Sequence, residues 1–198
     1  QGSIAGTSGT NFWIVNNAYT GGNFTIICLG YPFGATAGAT PSQPVGITSP
    51  DGGYMHIVST AGQANGINNA NFQAADGFCV FDENNFSKTA TISTLGYTGV
   101  SFSFWWLCAG GAQSYGELYY SVDGGSSWTK STSTAQYSGQ STWIQETVTN
   151  AAFDNQASVM FGFKFVNLTT TATSDPAFSI DDIKVTGAPA TGIASVGS

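Results

Sequence analysis

The chain has 198 residues, and with 41% of them hydrophobic it is long enough to bury the core of one large domain. Only 8% of its residues are charged, the four basic residues are all lysines, and the formal net charge is −7. Such a surface repels nucleic acid and anionic lipid headgroups, and no apolar run reaches the ~20 residues of a membrane-spanning helix.

The expected organisation is a single domain over residues 11–187. It lies between a Gly- and Ser-rich tail at 1–10 and a linker or tail at 188–198. Ordinary globular domains carry about a quarter charged residues, so this chain must owe its solubility to Gly, Ser, Thr and Asn rather than to charged side chains. Such a composition is typical of extracellular β proteins. We therefore expect a secreted or cell-surface protein whose leader, if it had one, was removed before Gln1.

Apolar and polar residues alternate with a period of two in many short segments, which predicts strands and no amphipathic helix. In the first half the predicted strands are 12–15, 24–29, 54–58, 78–81 and 89–93. In the second half they are 100–108, 117–122, 143–148, 159–165 and 178–185. About ten short strands predict an all-β fold of two antiparallel sheets packed face to face, a jelly roll.

Two long segments, 30–53 and 61–77, show no regular pattern, and loops of that length are unusual in a compact domain. They are the places where we expect a ligand, a metal ion or a partner to bind.

The chain has three cysteines, Cys28, Cys79 and Cys108, so at least one thiol has no partner within it. Cys28 and Cys108 lie on apolar strand faces, where a buried free cysteine is as well explained as a disulfide. The pairing stays open at this point.

The run SVDGGSSW, from Ser121 to Trp128, fits the Asp-box pattern of a hairpin turn. Asp123 is expected to accept backbone N–H bonds within the turn, and Gly125 permits a positive φ. Trp128 covers the apolar side of the hairpin. The pattern therefore predicts a structural turn and no reaction.

The segment from Phe178 to Val185 changes its pattern at two aspartates, Asp181 and Asp182. In a regular strand Ile180 and Ile183 would point to opposite faces of the sheet. Both can face the core only if the strand gains one residue, as in a β-bulge. Two carboxylates at a bulge predict a Ca²⁺ site, with Asp82 and Glu83 as further ligands. The alternative is a solvated pair of aspartates at a strand end.

The chain contains fourteen phenylalanines, eight tyrosines and five tryptophans, and exposed rings of this kind stack on sugars. The candidate ligand-binding rings are those of Trp13, Trp105, Tyr115, Tyr137 and Trp143. Core packing is the alternative for most of them.

We expect no catalysis and name no catalytic residue. His56 is the only histidine, and no serine stands in a recognisable nucleophile elbow. The alternative, a glycoside hydrolase, would depend on Glu117, Glu146 and Asp154 meeting in space, and nothing in their spacing singles them out.

Four runs in the second half carry a resemblance to a known family: 91–95, 100–105, 116–125 and 178–183. They resemble MAM-like or cleaved-adhesin-type jelly rolls, which occur in large bacterial surface proteins exported by the type IX system, including hemagglutinin-type and gliding adhesins. The resemblance spans about residues 89 to 185 and implies Ca²⁺ at Asp181 or Asp182. The N-terminal half lacks the Phe-Glu calcium signature that opens such domains.

The expected function is therefore that of a secreted, calcium-stabilised, adhesin-type module for binding or assembly. Its partner would be a glycan, a surface ligand or copies of itself. One alternative is a structural subunit of an extracellular filament or stalk, and another is a carbohydrate-binding module of a polysaccharide-degrading protein.

Overall fold

The computed structural model describes residues 9–48, 52–170 and 174–190. The strands, in chain order, are β1 (Asn11–Asn16), β2 (Gly22–Cys28), β3 (Tyr31–Ala37), β4 (Tyr54–Ser59), β5 (Glu83–Lys88), β6 (Tyr97–Cys108), β7 (Ser114–Ser121), β8 (Thr129–Lys130), β9 (Gln140–Thr149), β10 (Met160–Asn167) and β11 (Ser179–Pro189). A short helix, α1 (Thr60–Ala64), follows β4, and a 3-10 turn (Ala151–Phe153) follows β9.

The strands form a two-sheet antiparallel sandwich of the jelly-roll class, as the sequence predicts. One sheet has five strands in the order β1-β4-β11-β6-β9, and the other has four in the order β5-β10-β7-β8. β2 and β3 form a separate two-stranded hairpin. Neighbours in each sheet are mostly distant in sequence, so the fold depends on long-range pairing.

The core lies between the two sheets and is rich in phenylalanine. Phe102 and Phe104 of β6 face Phe161 and Phe163 of β10, and all four side chains are buried. The rings of Phe102 and Phe161 stack with centroids 3.7 Å apart. The alternation predicted at 100–108 and 159–165 thus becomes the two facing layers of the core.

The predicted β-bulge is present in β11. Asp181 pairs with Trp105 and Lys184 pairs with Ser103, so two residues of β11 oppose one of β6. Asp182 has a positive φ of 48°, the backbone conformation that accommodates the extra residue of the bulge. Beyond the bulge Val185 packs against the core, but Ile183 is 39% exposed, so the prediction that it turns inward is wrong.

Two predicted strands are also wrong. Residues 78–81 form a turn, and 89–93 contribute only the single bridge between Ile92 and Val159. The strand of this region is β5, whose inward side chains include Glu83 and Asn85. Because these buried positions are polar, β5 shows no alternation in its sequence.

The two segments without a pattern also contain regular structure. β3 lies within 30–53, and most of α1 lies within 61–77. Part of the segment 30–53 covers the outer face of the five-stranded sheet, where Trp143 donates its indole N–H to the carbonyl of Pro41 at 2.9 Å. The connection between β1 and β2 covers it too, since the Tyr54 hydroxyl donates to the carbonyl of Ala18 at 2.6 Å. That face is therefore a second apolar layer rather than an open surface.

Candidate ligand-binding cavity

The predicted metal residues Asp181 and Asp182 are engaged with hydrogen-bond donors. Asp181 accepts from the Gln43 amide and from the backbone N–H of Asp182, the latter at 2.7 Å. Asp182 accepts from the hydroxyl of Thr48 at 3.1 Å and from the ammonium group of Lys184 at 2.9 Å. Burial acts to raise the pKa of Asp182, but these two donors hold it below its ordinary value.

These contacts only partly fit a calcium ion. The two carboxylates and the Thr48 hydroxyl offer the hard oxygen ligands that Ca²⁺ prefers, but Lys184 already supplies a positive charge there. Within the described part of the chain, no three Asp, Glu, His or Cys side chains come together as a metal site. Calcium binding stays a prediction.

The other predicted metal ligands, Asp82 and Glu83, lie at the start of β5, in the other sheet from Asp181 and Asp182. Asp82 accepts from the backbone N–H and the hydroxyl of Thr169 at 2.6 and 2.7 Å. Glu83 is buried and accepts from Thr10, Asn11 and Asn167, and its burial raises its pKa. The structure does not bring the two acidic pairs together.

The predicted sugar-stacking rings are mostly covered. Tyr137 is fully buried and Trp143 is 7% exposed, so neither offers a ring face to a ligand. Trp13 packs edge-on against Phe178 and donates to the carbonyl of Asn85, and Trp105 is packed against the core. Tyr115 is half-buried in β7. Core packing accounts for Trp13, Trp105, Tyr137 and Trp143, and a loop covers Trp143 on the outer face of its sheet.

The Asp-box residues form the hairpin turn between β7 and β8. Asp123 accepts from the backbone N–H of Ser127 at 2.9 Å and from the hydroxyl of Ser121 at 2.6 Å. Gly125 has a φ of 91°, and the indole of Trp128 donates to its carbonyl at 3.1 Å. Each member of the motif thus has a structural partner.

The three carboxylates considered for hydrolysis have separate partners. Glu117 lies in the four-stranded sheet and pairs with Lys130. Glu146 lies in the five-stranded sheet and accepts from Tyr137 at 3.0 Å, and Asp154 accepts from the backbone N–H of Val100 at 2.8 Å. No two of them form the facing pair that glycoside hydrolysis uses.

A cavity of about 440 Å³ lies beside the β2–β3 hairpin. The hairpin turns through Leu29 and Gly30, both with positive φ, as a tight two-residue β-turn requires. This turn puts Phe24, Ile26 and Phe33 on one face, which forms one wall of the cavity. Phe33 remains 54% exposed, so its ring is available at the mouth.

A disulfide fastens the hairpin to the opposite wall. Cys28, at the end of β2, is bonded to Cys79 across 51 positions of sequence, and Cys108 is free and buried. Cys79 lies in a turn organised by Asp76, whose Oδ1 accepts the backbone N–H groups of Phe78, Cys79 and Val80 at 2.8 to 3.0 Å. These hydrogen bonds, chiefly that from Val80, lower the pKa of Asp76.

Asp175 is the second carboxyl group of the cavity. Its Oδ1 accepts the backbone N–H of Phe72 at 3.2 Å, and Phe72 itself is buried against Phe165. Burial raises the pKa of Asp175 to about 7. Near neutral pH this carboxyl group therefore exchanges between an uncharged form that donates a hydrogen bond and a charged form that accepts one.

The cavity has the size and lining of a small-molecule site. Such sites are typically about 300–1,000 Å³, with apolar walls and a few polar groups that orient the ligand. Here the polar groups include Gln73 and Asp175. None of the candidate site residues predicted from the sequence lines this cavity, although Cys28 and Cys79 were named as cysteines of open pairing. Residues 33–36 and most of 72–76 in the wall fall in the two long segments where a ligand was expected.

No protein-family model matches the sequence, and no curated protein is similar to it. Among solved structures, the fold is similar to that of TmCBM61 in complex with β-1,4-galactotriose, with a TM-score of 0.35 and 12% identity over 71% of this chain and 73% of that chain. It is also similar to CBM35 from Paenibacillus barcinonensis, with a TM-score of 0.36 and 18% identity over 88% of this chain and 99% of that chain. Likenesses this distant assign neither a ligand nor an activity.

Proposed function

We propose that this domain is a non-catalytic binding module of an exported surface protein, and that the cavity beside the β2–β3 hairpin binds a neutral sugar unit. The observation that carries the proposal is the cavity of about 440 Å³, with aromatic walls and a carboxyl group. Of the functions expected from the sequence, carbohydrate binding fits this geometry best.

The chemistry of the walls suits a sugar. A pyranose has an apolar C–H face and a rim of hydroxyl groups, and aromatic rings pack against such a face. Phe33, which is 54% exposed, supplies a ring, and Gln73 and Asp175 supply donors and acceptors for hydroxyls. A neutral sugar is favoured because the carboxylate of Asp76, and that of Asp175 in its charged form, repel an anionic one.

The same carboxyl groups favour binding over hydrolysis. Glycosidases place two free carboxyl groups on either side of the scissile bond. In this cavity Asp76 is committed to three backbone N–H groups, which leaves Asp175 as the one carboxyl group suited to contact a ligand.

Export is supported by the Cys28–Cys79 disulfide, since such bonds persist mainly in oxidising compartments. In the described ranges, no helix is both long and apolar enough to cross a membrane. Attachment to a cell surface as an adhesin-type module belongs to the proposal.

The test is titration calorimetry of the whole chain against a panel of neutral oligosaccharides. Phe33→Ala should weaken binding by about tenfold, because a stacked ring contributes on the order of 1–2 kcal/mol. Phe78→Ala is the matched control, since Phe78 is 71% exposed but does not line the cavity. Absence of any binding, or equal loss in both variants, would refute the cavity as the site.

A second candidate is assembly of the chain with its own copies. Ile27, Leu29, Tyr31, Phe78 and Phe81 are each between 66% and 72% exposed and lie on the hairpin or near its disulfide. Exposed apolar side chains in such a cluster often mark an interface, and residues 22–37 carry no charge to oppose a second acidic copy. Sedimentation that shows a monomer at all concentrations would exclude this function.

A further inference from the structure

Three of the four lysines lie on the outer face of the four-stranded sheet. Lys88 is in β5, Lys164 in β10 and Lys130 in β8. Lys88 is paired in register with Gly162, Gly162 with Tyr119, and Tyr119 with Lys130, so one row of residues crosses all four strands. The Cα atoms of Lys88 and Lys130 are three strand spacings apart, about 14 Å.

This face has more cations than anions. Lys130 and Lys164 share one carboxylate, that of Glu117, at 2.5 and 3.5 Å, while Lys88 has no ion pair within the described residues. The three lysines and Glu117 sum to +2, which leaves −9 for the rest of a chain whose total is −7. Burial acts to raise the pKa of Glu117, but its hydrogen bonds to Lys130 and Tyr119 hold it below its ordinary value, so Glu117 stays charged.

An acidic residue, Asp123, lies at the edge of this face, in the turn between β7 and β8. Its carboxylate is occupied by the hydroxyl groups of Ser121 and Ser127, at 2.6 and 2.5 Å. Among the described residues, Asp123 forms no ion pair with a lysine.

Aromatic rings lie among the lysines. A side chain at Gly162 would overlap the rings of Phe86 and Trp128, so this glycine allows both to lie over the sheet. The two rings meet edge to face with centroids 5.0 Å apart, and Tyr119 contacts Phe86 at 6.2 Å. Phe86, Tyr119 and Trp128 are each half-buried, so part of each ring still faces solvent.

We propose that the outer face of the four-stranded sheet binds an acidic polysaccharide, with Lys88 and Lys130 pairing with its carboxylates and Tyr119 and Trp128 contacting its sugar rings. This surface is separate from the cavity: it takes an acidic polysaccharide, whereas the cavity takes a neutral sugar. Charge complementarity selects an anion, because this is the one cationic face defined by the described residues. The interleaved rings select sugar units over a plain acidic peptide.

The experiment is calorimetric titration of the whole chain, in EDTA, with polygalacturonate and with its methyl ester, which has the same backbone without the charge. The polygalacturonate should bind, more weakly as ionic strength rises, and in the Phe33→Ala variant, which weakens the cavity, it should bind more tightly than the neutral methyl ester. The double variant Lys88→Gln/Lys130→Gln should weaken binding by about tenfold through loss of two charge-assisted contacts. Near-UV circular dichroism verifies that it folds.

Lys184→Gln is the matched control, because Lys184 is the fourth lysine, has its side chain 48% exposed and lies in the other sheet. It should bind polygalacturonate as the unmodified chain does. The proposal is overturned by no binding of polygalacturonate, by equal binding of the methyl ester in the Phe33→Ala variant, by equal binding of poly-glutamate, or by an equal loss in Lys184→Gln. Phe33→Ala should leave polygalacturonate binding intact, so failure of the cavity and failure of this face are distinguishable.

Discussion

Two side chains with shifted pKa values give the fold opposite responses to pH. Burial lowers the pKa of His56 to about 4, and burial raises that of Asp175 to about 7. The His56 contribution to stability is complete above the unfolded value near 6.5 and is lost as pH falls towards 4. The Asp175 contribution is complete below the unfolded value of 3.8 and is lost as pH rises through 7. The two effects oppose each other in the unmodified chain.

Replacing Asp175 with Asn removes the Asp175 contribution to the pH dependence of stability and leaves that of His56. Asn keeps an oxygen for the backbone N–H of Phe72 but has no charge to desolvate. Relative to the unmodified chain, the free energy of unfolding of Asp175→Asn should rise by about 2 kcal/mol between pH 4 and pH 8. Urea unfolding at several pH values measures this, and a difference that does not vary with pH would contradict it.

The glycine at position 116 of β7 carries a prediction about packing. A methyl group there would overlap the ring of Phe178, which lies in the core. Gly116→Ala should therefore destabilise the fold by about 1–3 kcal/mol, the usual cost of overpacking. Gly111→Ala is the control because no atom lies within 4 Å of its new methyl group. Thermal melts of both variants compare the two costs, and equal melting temperatures would contradict the prediction.

At the scale of elements, the bulge in β11 is where the calcium prediction is tested. If Ca²⁺ binds at Asp181 and Asp182, it should raise the melting temperature by about 2–4 °C for each kcal/mol that binding adds to the free energy of unfolding at the Ca²⁺ concentration used. Lys184→Gln should enlarge the shift, because the Lys184 ammonium group of the unmodified chain pairs with Asp182 and competes with Ca²⁺. Asp181→Asn/Asp182→Asn should abolish it. If Ca²⁺ leaves the melting temperature of every variant and of the unmodified chain unchanged, the calcium prediction is wrong.

The elements differ in how far sequence predicts them. β6 and β10 were predictable because each alternates large apolar residues with small or polar ones, and the apolar set faces the core. β5 was not, since Glu83 and Asn85 occupy its inward positions. The bulge followed from the alternation of apolar residues alone, but the exposure of Ile183 follows from its place inside the bulge, between the Asp181–Trp105 and Lys184–Ser103 pairs.

At the scale of the whole molecule, the disulfide joins the hairpin to the sandwich. Replacing both partners, Cys28→Ser/Cys79→Ser, releases a loop of 51 residues, which should cost about 4 kcal/mol by the chain-entropy model. It should also weaken neutral-sugar binding, because the hairpin wall of the cavity loses its fastening. Chemical unfolding and calorimetry measure the two effects. The unmodified chain under reducing conditions is the control and should behave in the same way; unchanged stability would contradict the prediction.

Sequence by itself determined the sandwich, the Asp-box turn, the bulge and the segments in which a ligand was expected. Those features depend on local alternation, turn chemistry and loop length, which are properties of neighbouring residues. Only the tertiary structure decided that Cys28 pairs with Cys79, that loops cover Trp143, and that three lysines share one sheet face. Each of these requires contact between residues far apart in sequence, and strand order, which sets such contacts, is not encoded in any one segment.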